Sequence, residues 1–176
     1  GLCPLPFQYA DYAAWEQEWL QGPDFESRLA EWRGLLTDWP APLALPTDRP
    51  APSRPTFAGA AVPFIIPREQ ADALRRLARE SGTTRFVTLL SCLGALLERH
   101  TGATRMVIGV PAANRGIPGT EPLIGLFLNT VPVVLDLAGK PSLRELQRRV
   151  DRSSRPPLAS PQVPFDILMR ALRGEG

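Results

Sequence analysis

Six of the seventeen residues between 40 and 56 are proline: Pro40, Pro42, Pro46, Pro50, Pro52 and Pro55. No other stretch constrains the fold as tightly. Each proline lacks a backbone donor and restrains its predecessor to extended conformations, so neither a helix nor a central strand can run through the segment. The chain is therefore expected to divide into residues 1–39, an extended connector at 40–56, and residues 57–176.

Before the connector, Gln8, Tyr12, Trp15 and Trp19 recur at four-three-four spacing, one face of an amphipathic helix. Gly22-Pro23 ends it. Asp24 is then placed to cap a second helix, whose Phe25, Leu29, Trp32 and Leu36 repeat the spacing. After the connector, residues 60–66 read as a strand, with Pro67 at the first helical position of the next element. That helix sets Ala71, Leu74, Leu77 and Ala78 on one side and stops at Gly82. Thr84 can cap a further helix with a wide apolar face (Phe86, Leu89, Leu90, Leu93, Leu96, Leu97), which is expected to be buried against a sheet. Residues 106–110 and 131–137 read as strands. Ser142 and Glu145 form a capping box opening a last long helix, expected to run into a break at Arg155-Pro156-Pro157. Strands alternating with helices in this way predict an α/β layered domain with a sheet packed against helices.

Composition narrows the function. The 176 residues are 44% hydrophobic and 22% charged, ordinary for a globular domain. Twenty basic against 18 acidic residues leave a net charge of +2, and no basic run exceeds two residues, so nothing suggests nucleic acid. Cys3 and Cys92 are too few for a disulfide framework or a zinc site, and Cys92 is expected as a small buried hydrophobe. No apolar run approaches the roughly 20 residues of a membrane span, and no signal peptide opens the chain. A soluble, cytoplasmic setting is expected, and the opening at Gly1 reads as the start of an internal segment of a longer protein.

Self-contained catalytic constellations are missing from the sequence. The one histidine, His100, falls in a last helical turn, where the helix dipole favours it. No nucleophile elbow, phosphate loop, metal-ligand pair or dinucleotide fingerprint is found, and no metal is expected.

Four ordered segments resemble one family, the condensation domains of nonribosomal peptide synthetases. QYADYAAW at 8–15 is similar to the family's YxDYAxW motif, followed by WLQG at 19–22 and Trp32-Arg33. LPTDRP at 45–50 is similar to the phrase that opens the linker to the second lobe. VIGVPAANR at 107–115 with IGLFLNT at 124–130 resembles the region of the (I/V)GxFVNT motif. PQVPFD at 161–166 is similar to the tail of HQxxPFE, with Ser160 where the family has histidine and Pro161 and Gln162 in place of the following Gln-Asp.

The resemblance implies a chloramphenicol acetyltransferase-like fold, two α/β lobes facing each other across a tunnel. It assigns 1–39 to the closing helices of the first lobe, 40–56 to the inter-lobe linker and 57–176 to an apparently truncated second lobe. The implied reaction is amide formation between carrier-bound acyl or peptidyl and aminoacyl thioesters in antibiotic and other secondary metabolism. The implied partners are peptidyl carrier proteins, adjacent synthetase domains and the missing part of the condensation domain. No cofactor is bound directly; phosphopantetheine arms of the carriers deliver the substrates. The catalytic histidine of HHxxxDG lies outside this chain, so no catalytic residue is assigned, and the 176 residues alone are expected to be inactive. A noncatalytic recruitment module, an epimerization domain and a heterocyclization domain share the resemblance. The incomplete sheet is expected to expose an edge that pairs with something else.

Within the motifs, Tyr9, Asp11, Tyr12 and Trp15 read as packing and capping groups. Gly109 and Gly125 mark close backbone approach or simple turns. Asn114-Arg115-Gly116 reads as a polar turn. Gly125, Phe127, Asn129, Thr130 and Asn114 are the tunnel candidates. Asn129, inside an apolar run, either positions substrate or satisfies buried structural partners. Pro164 and Phe165 are expected to anchor a short helix, with Asp166 favoured at its start.

Overall fold

The computed structural model describes residues 5–36, 40, 42–50, 52–54, 56–159 and 161–173. Cys3, Pro55 and Ser160, each singled out above, lie outside the described residues. Six helices and two strands follow in order: α1 (Tyr9–Trp19), α2 (Pro23–Leu35), α3 (Arg68–Glu80), α4 (Arg85–Thr101), β1 (Arg105–Ala112), β2 (Asn129–Asp136), α5 (Leu143–Ala159) and α6 (Phe165–Arg173). Among the described residues β1 and β2 pair in a two-stranded sheet. The described part of the proline-rich connector holds neither helix nor strand.

The chain forms two compact units, each assembled from separated stretches. The first comprises Gly1–Trp39, Val107–Val134 and Ser154–Gly176. In it α1 opens with a capping box: Asp11 Oδ2 accepts from the Gln8 backbone N–H at 2.8 Å. α2 buries Phe25, Leu29, Trp32 and Leu36, the face read from their spacing, and packs against α6, which buries Leu168. Gly22 is the N-cap of α2 and Pro23 occupies its first turn, so Asp24 is not the cap. Proline fits the first turn because the donor it lacks has no acceptor there.

The second unit comprises Pro40–Met106 and Leu135–Ser153. Here Pro67 is the N-cap of α3, one position before the expected one. α3 turns half-buried Ala71, Leu74 and Leu77 and buried Ala78 inward, packs against α4 and ends before Gly82, whose φ of +63° glycine accepts without strain. Thr84 caps α4, its Oγ1 accepting from Val87 N–H at 3.1 Å. A buried polar relay crosses the unit. Ser81 Oγ donates to Gln147 Oε1 at 2.8 Å, Gln147 Nε2 to Thr88 Oγ1 at 2.9 Å, and Thr88 Oγ1 to the Thr84 carbonyl at 3.1 Å. Gln147 and Thr88 are wholly buried, so this chain of partners is what makes their burial tolerable.

Four expectations are corrected here. Residues 60–66 form no strand; Val62, Phe64 and Ile65 are more than four-fifths exposed, and a β-prone sequence stays unpaired when no neighbouring strand is present to supply its ladder. α4 buries Val87, Thr88, Leu90, Ser91 and Gly94, whereas Phe86, Leu89, Leu93 and Leu96 are exposed. A helix with apolar residues on more than one side leaves its inner face undecided by hydrophobicity alone. Close approach decides it, since a Cβ on Gly94 would lie 2.9 Å from Leu135. α5 continues through Pro156 and Pro157 to Ala159, because the proline φ is compatible with helix and the loss falls on two hydrogen bonds near the helix end. Cys92 is half-buried, and desolvation pushes its thiol pKa up.

Candidate functional site

Three of the motif segments meet in the first unit. Tyr9, at the start of α1, lies across Gly125, where a Cβ would stand 2.1 Å from the Tyr9 ring; only glycine fits beneath it. The Tyr9 hydroxyl donates to the Leu126 carbonyl at 2.9 Å. Phe127 and Tyr9 meet in a T-shaped arrangement at 5.2 Å between centroids, and the tilted ring of Tyr12 lies at 4.6 Å from Phe127. Tyr12, Leu123 and Phe127 form a buried cluster, with Leu5, Phe7, Tyr9 and Ile117 against it. The Tyr12 hydroxyl donates to Glu16 Oε1 at 2.9 Å. Burial, then the hydrogen bond and charge of Glu16, hold this phenol well above its ordinary pKa, while a hydrogen bond with Asn114 pulls the other way.

Asn129 ties the second segment to the third. Its Nδ2 donates to the carbonyls of Pro161 (2.6 Å) and Val163 (2.7 Å). Its Oδ1 accepts from Phe165 N–H at 3.2 Å and from Thr130 N–H at 2.9 Å. Both amide hydrogens are thus engaged within the protein. α6 then begins at Phe165 with Asp166 in its first turn, where Arg170 meets the carboxylate at 3.1 Å. Gly109 completes the arrangement: a Cβ there would lie 2.9 Å from the Thr130 methyl group.

These segments enclose a half-open cavity of about 360 Å³. Of the residues singled out in the sequence, Asn114, Phe127, Asn129, Thr130, Pro164, Phe165 and Asp166 line it, joined by Glu16, Leu126, Leu128 and Gln162. Gly125 is not in the lining and acts through Tyr9. Asp11 caps α1, and Trp15, 42% exposed, faces a separate cavity with Trp19. The lining mixes amides and a hydroxyl with carboxylates and apolar side chains. His100 lies exposed at the end of α4 in the other unit. Among the described residues no group of three or more His, Cys, Asp or Glu could hold a metal, and no helix is long and apolar enough to cross a membrane.

Sequence reasoning assigned no role to three polar or charged residues of this site, nor to the lining residues Leu126 and Leu128. Glu16 falls one position past the first motif, and only its place one turn after Tyr12 hints at a role. Gln162 lies inside the last motif, where it reads as a departure from the family pattern. Arg115 reads as part of a solvated turn, yet it is half-buried and its guanidinium lies over Phe127 with Cζ 4.1 Å from the ring centroid. Nothing in a lone arginine beside a glycine marks it as internal.

The sequence matches the Condensation domain family over residues 2–176, and the chain belongs to that family. It is 42% identical over 174 residues to a linear gramicidin synthase of Brevibacillus parabrevis, covering 99% of this chain and 2% of that protein. It superposes on the X-domain from teicoplanin biosynthesis with a TM-score of 0.90 at 28% identity, also solved in complex with OxyB, covering 98% of this chain and 39% of that one. The first condensation domain of the CDA synthetase superposes with a TM-score of 0.74 at 26% identity, covering 90% and 34%. The α/β fold is thus that of the condensation domains, and the chain spans about two-fifths or less of the solved domains it matches.

Proposed function

We propose that this chain forms one wall of the substrate tunnel of a condensation domain that builds amide bonds in nonribosomal peptide synthesis. The acceptor amine attacks the thioester carbonyl of a carrier-bound acyl or peptidyl group. The C–N bond forms, the C–S bond breaks, the donor arm leaves as its thiol, and the amine gives up a proton. Carrier proteins present both substrates on phosphopantetheine arms, and the neighbouring synthetase domains hold those carriers in reach, with the parent synthetase in the cytoplasm. Catalysis is chiefly positioning, which can supply about 7–11 kcal/mol of a barrier at best. The proton-handling histidine comes from the HHxxxDG segment of the parent domain.

One observation carries the reading: the YxDYAxW-like helix, the IGLFLNT segment and the PQVPFD segment converge on a single cavity whose lining mixes amides, a hydroxyl and carboxylates with apolar groups. In the lobe assignment we favour, 1–39 closes the first lobe, 40–56 links the lobes and 57–176 belongs to the second. The first unit then joins second-lobe residues to first-lobe helices, as a tunnel wall between lobes requires. The test uses two loaded carrier proteins and mass spectrometry of the product. The intact parent domain should yield the amide and the 176-residue chain none; turnover by the chain alone would overturn the proposal.

A second reading is favoured by the superposition on the X-domain, whose TM-score of 0.90 exceeds the 0.74 found with the CDA condensation domain. The parent domain would then be noncatalytic and recruit a tailoring enzyme. A pull-down with candidate tailoring enzymes tests this, and retention of none, together with amide formation by the parent, excludes it.

A further inference from the structure

Between the end of β1 and the start of β2 the chain makes a long excursion, residues 113–128, without helix or strand. Loops of this length in compact domains need an internal organiser or serve a function, and here a single cation organises the loop. Arg115 Nη1 donates to the carbonyls of Thr120 and of Leu123 (3.1 Å) and approaches that of Glu121 at 3.5 Å. The same guanidinium lies over the Phe127 ring. Thr120 is wholly buried, with its hydroxyl on the Ile117 carbonyl at 2.7 Å. One side chain near the start of the loop thus fastens its middle and its far end.

The consequence reaches the cavity from both sides. Asn114, immediately before Arg115, holds a left-handed φ of +48° and lines the cavity near Tyr12 and Glu16. Phe127, beneath the guanidinium, is buried and forms another part of the wall. We propose that Arg115 is a positioning residue of the condensation site, holding the Asn114 and Phe127 walls in register for the carrier-bound substrates. This rests on the condensation reading above. Lysine cannot replace it, since its ammonium lacks the planar face that lies over Phe127 and its side chain ends one bond short of the Nη1 position that reaches the loop carbonyls.

The test uses the intact condensation domain in its synthetase with two loaded carrier proteins. Arg115→Lys should lower the rate at saturating carrier about 100-fold, as a misplacement of about 1 Å can. The KM for the carriers should stay within about twofold. Hydrogen exchange of the backbone amides over 116–128 should quicken in the same variant. Wild-type turnover in Arg115→Lys, an equal loss through KM, or unchanged exchange overturns the proposal. Should Arg115→Lys fail to fold, Phe127→Leu keeps an apolar wall but removes the ring face under Arg115 together with the ring contacts to Tyr9 and Tyr12; a loss of about tenfold in the saturated rate with quicker amide exchange over 116–123, the stretch that Arg115 holds, is expected, and unchanged exchange there overturns the proposal. If the wild-type domain forms no amide, the condensation reading fails by itself, and the exchange measurement still decides whether Arg115 holds the loop.

Discussion

Replacing Gly125 with alanine should destabilise the first unit by about 3 kcal/mol, and the loss should vanish when Tyr9 is also removed. The new Cβ would stand 2.1, 2.5 and 2.7 Å from three Tyr9 ring carbons, and all three distances are too short to hold. The ring must swing away. That breaks the hydrogen bond to the Leu126 carbonyl, worth about 1 kcal/mol. It also costs the edge contact with Phe127, about 0.5–1.5 kcal/mol. Residual strain on the neighbours adds about 1 kcal/mol, the low end for an overpacked site because Tyr9 is half-buried and can move outward. Urea unfolding of the intact domain, followed through the fluorescence of nearby Trp15 and Trp19, measures the loss. In Tyr9→Ala/Gly125→Ala the space under residue 9 is empty, so the double variant should be no less stable than Tyr9→Ala alone. Additivity within about 0.5 kcal/mol would refute the claim that the glycine is required by the Tyr9 ring.

Asn129→Asp should cost more than Asn129→Ala in the same unfolding assay. The aspartate would set a carboxylate oxygen against the Pro161 and Val163 carbonyls, adding repulsion to an expected loss of about 2–3 kcal/mol for the missing donors; equal losses in the two variants would contradict the assignment. A pH series should show stability falling from about pH 10 upward, where the unfolded tyrosine ionises. Because the Tyr12 pKa is raised in the folded state, its contribution is complete below the unfolded value and is lost as pH rises towards the folded one. Tyr12→Phe should flatten that alkaline slope, and an unchanged slope would show that the phenol does not carry it.

Much of the local structure is legible in the residues. The spacing of Phe25, Leu29, Trp32 and Leu36 places a buried face because only one side of that helix is apolar. Thr84 and Gly82 mark a start and a stop through local hydrogen bonding and φ, which need no distant partner. The four ordered motifs suffice for the family. Legibility fails where the outcome depends on what lies opposite. Residues 60–66 have strand composition, but a strand exists only when another supplies its ladder. α4 offers two apolar sides, and the packing of Gly94 on Leu135 selects between them.

The site divides in the same way. Sequence alone determined which segments matter, since motif order and residue type survive without geometry. Tertiary structure decided what each residue in them does. Asn129 braces the 161–165 segment with both amide hydrogens, Gly125 makes room for Tyr9, and Arg115 leaves its apparent turn to hold a loop from within. These roles rest on contacts such as those between Tyr9 and Leu126, or Asn129 and Val163, which are far apart along the chain. A side chain's own type fixes its donors and acceptors, but only the folded chain fixes which groups stand within about 3 Å of them.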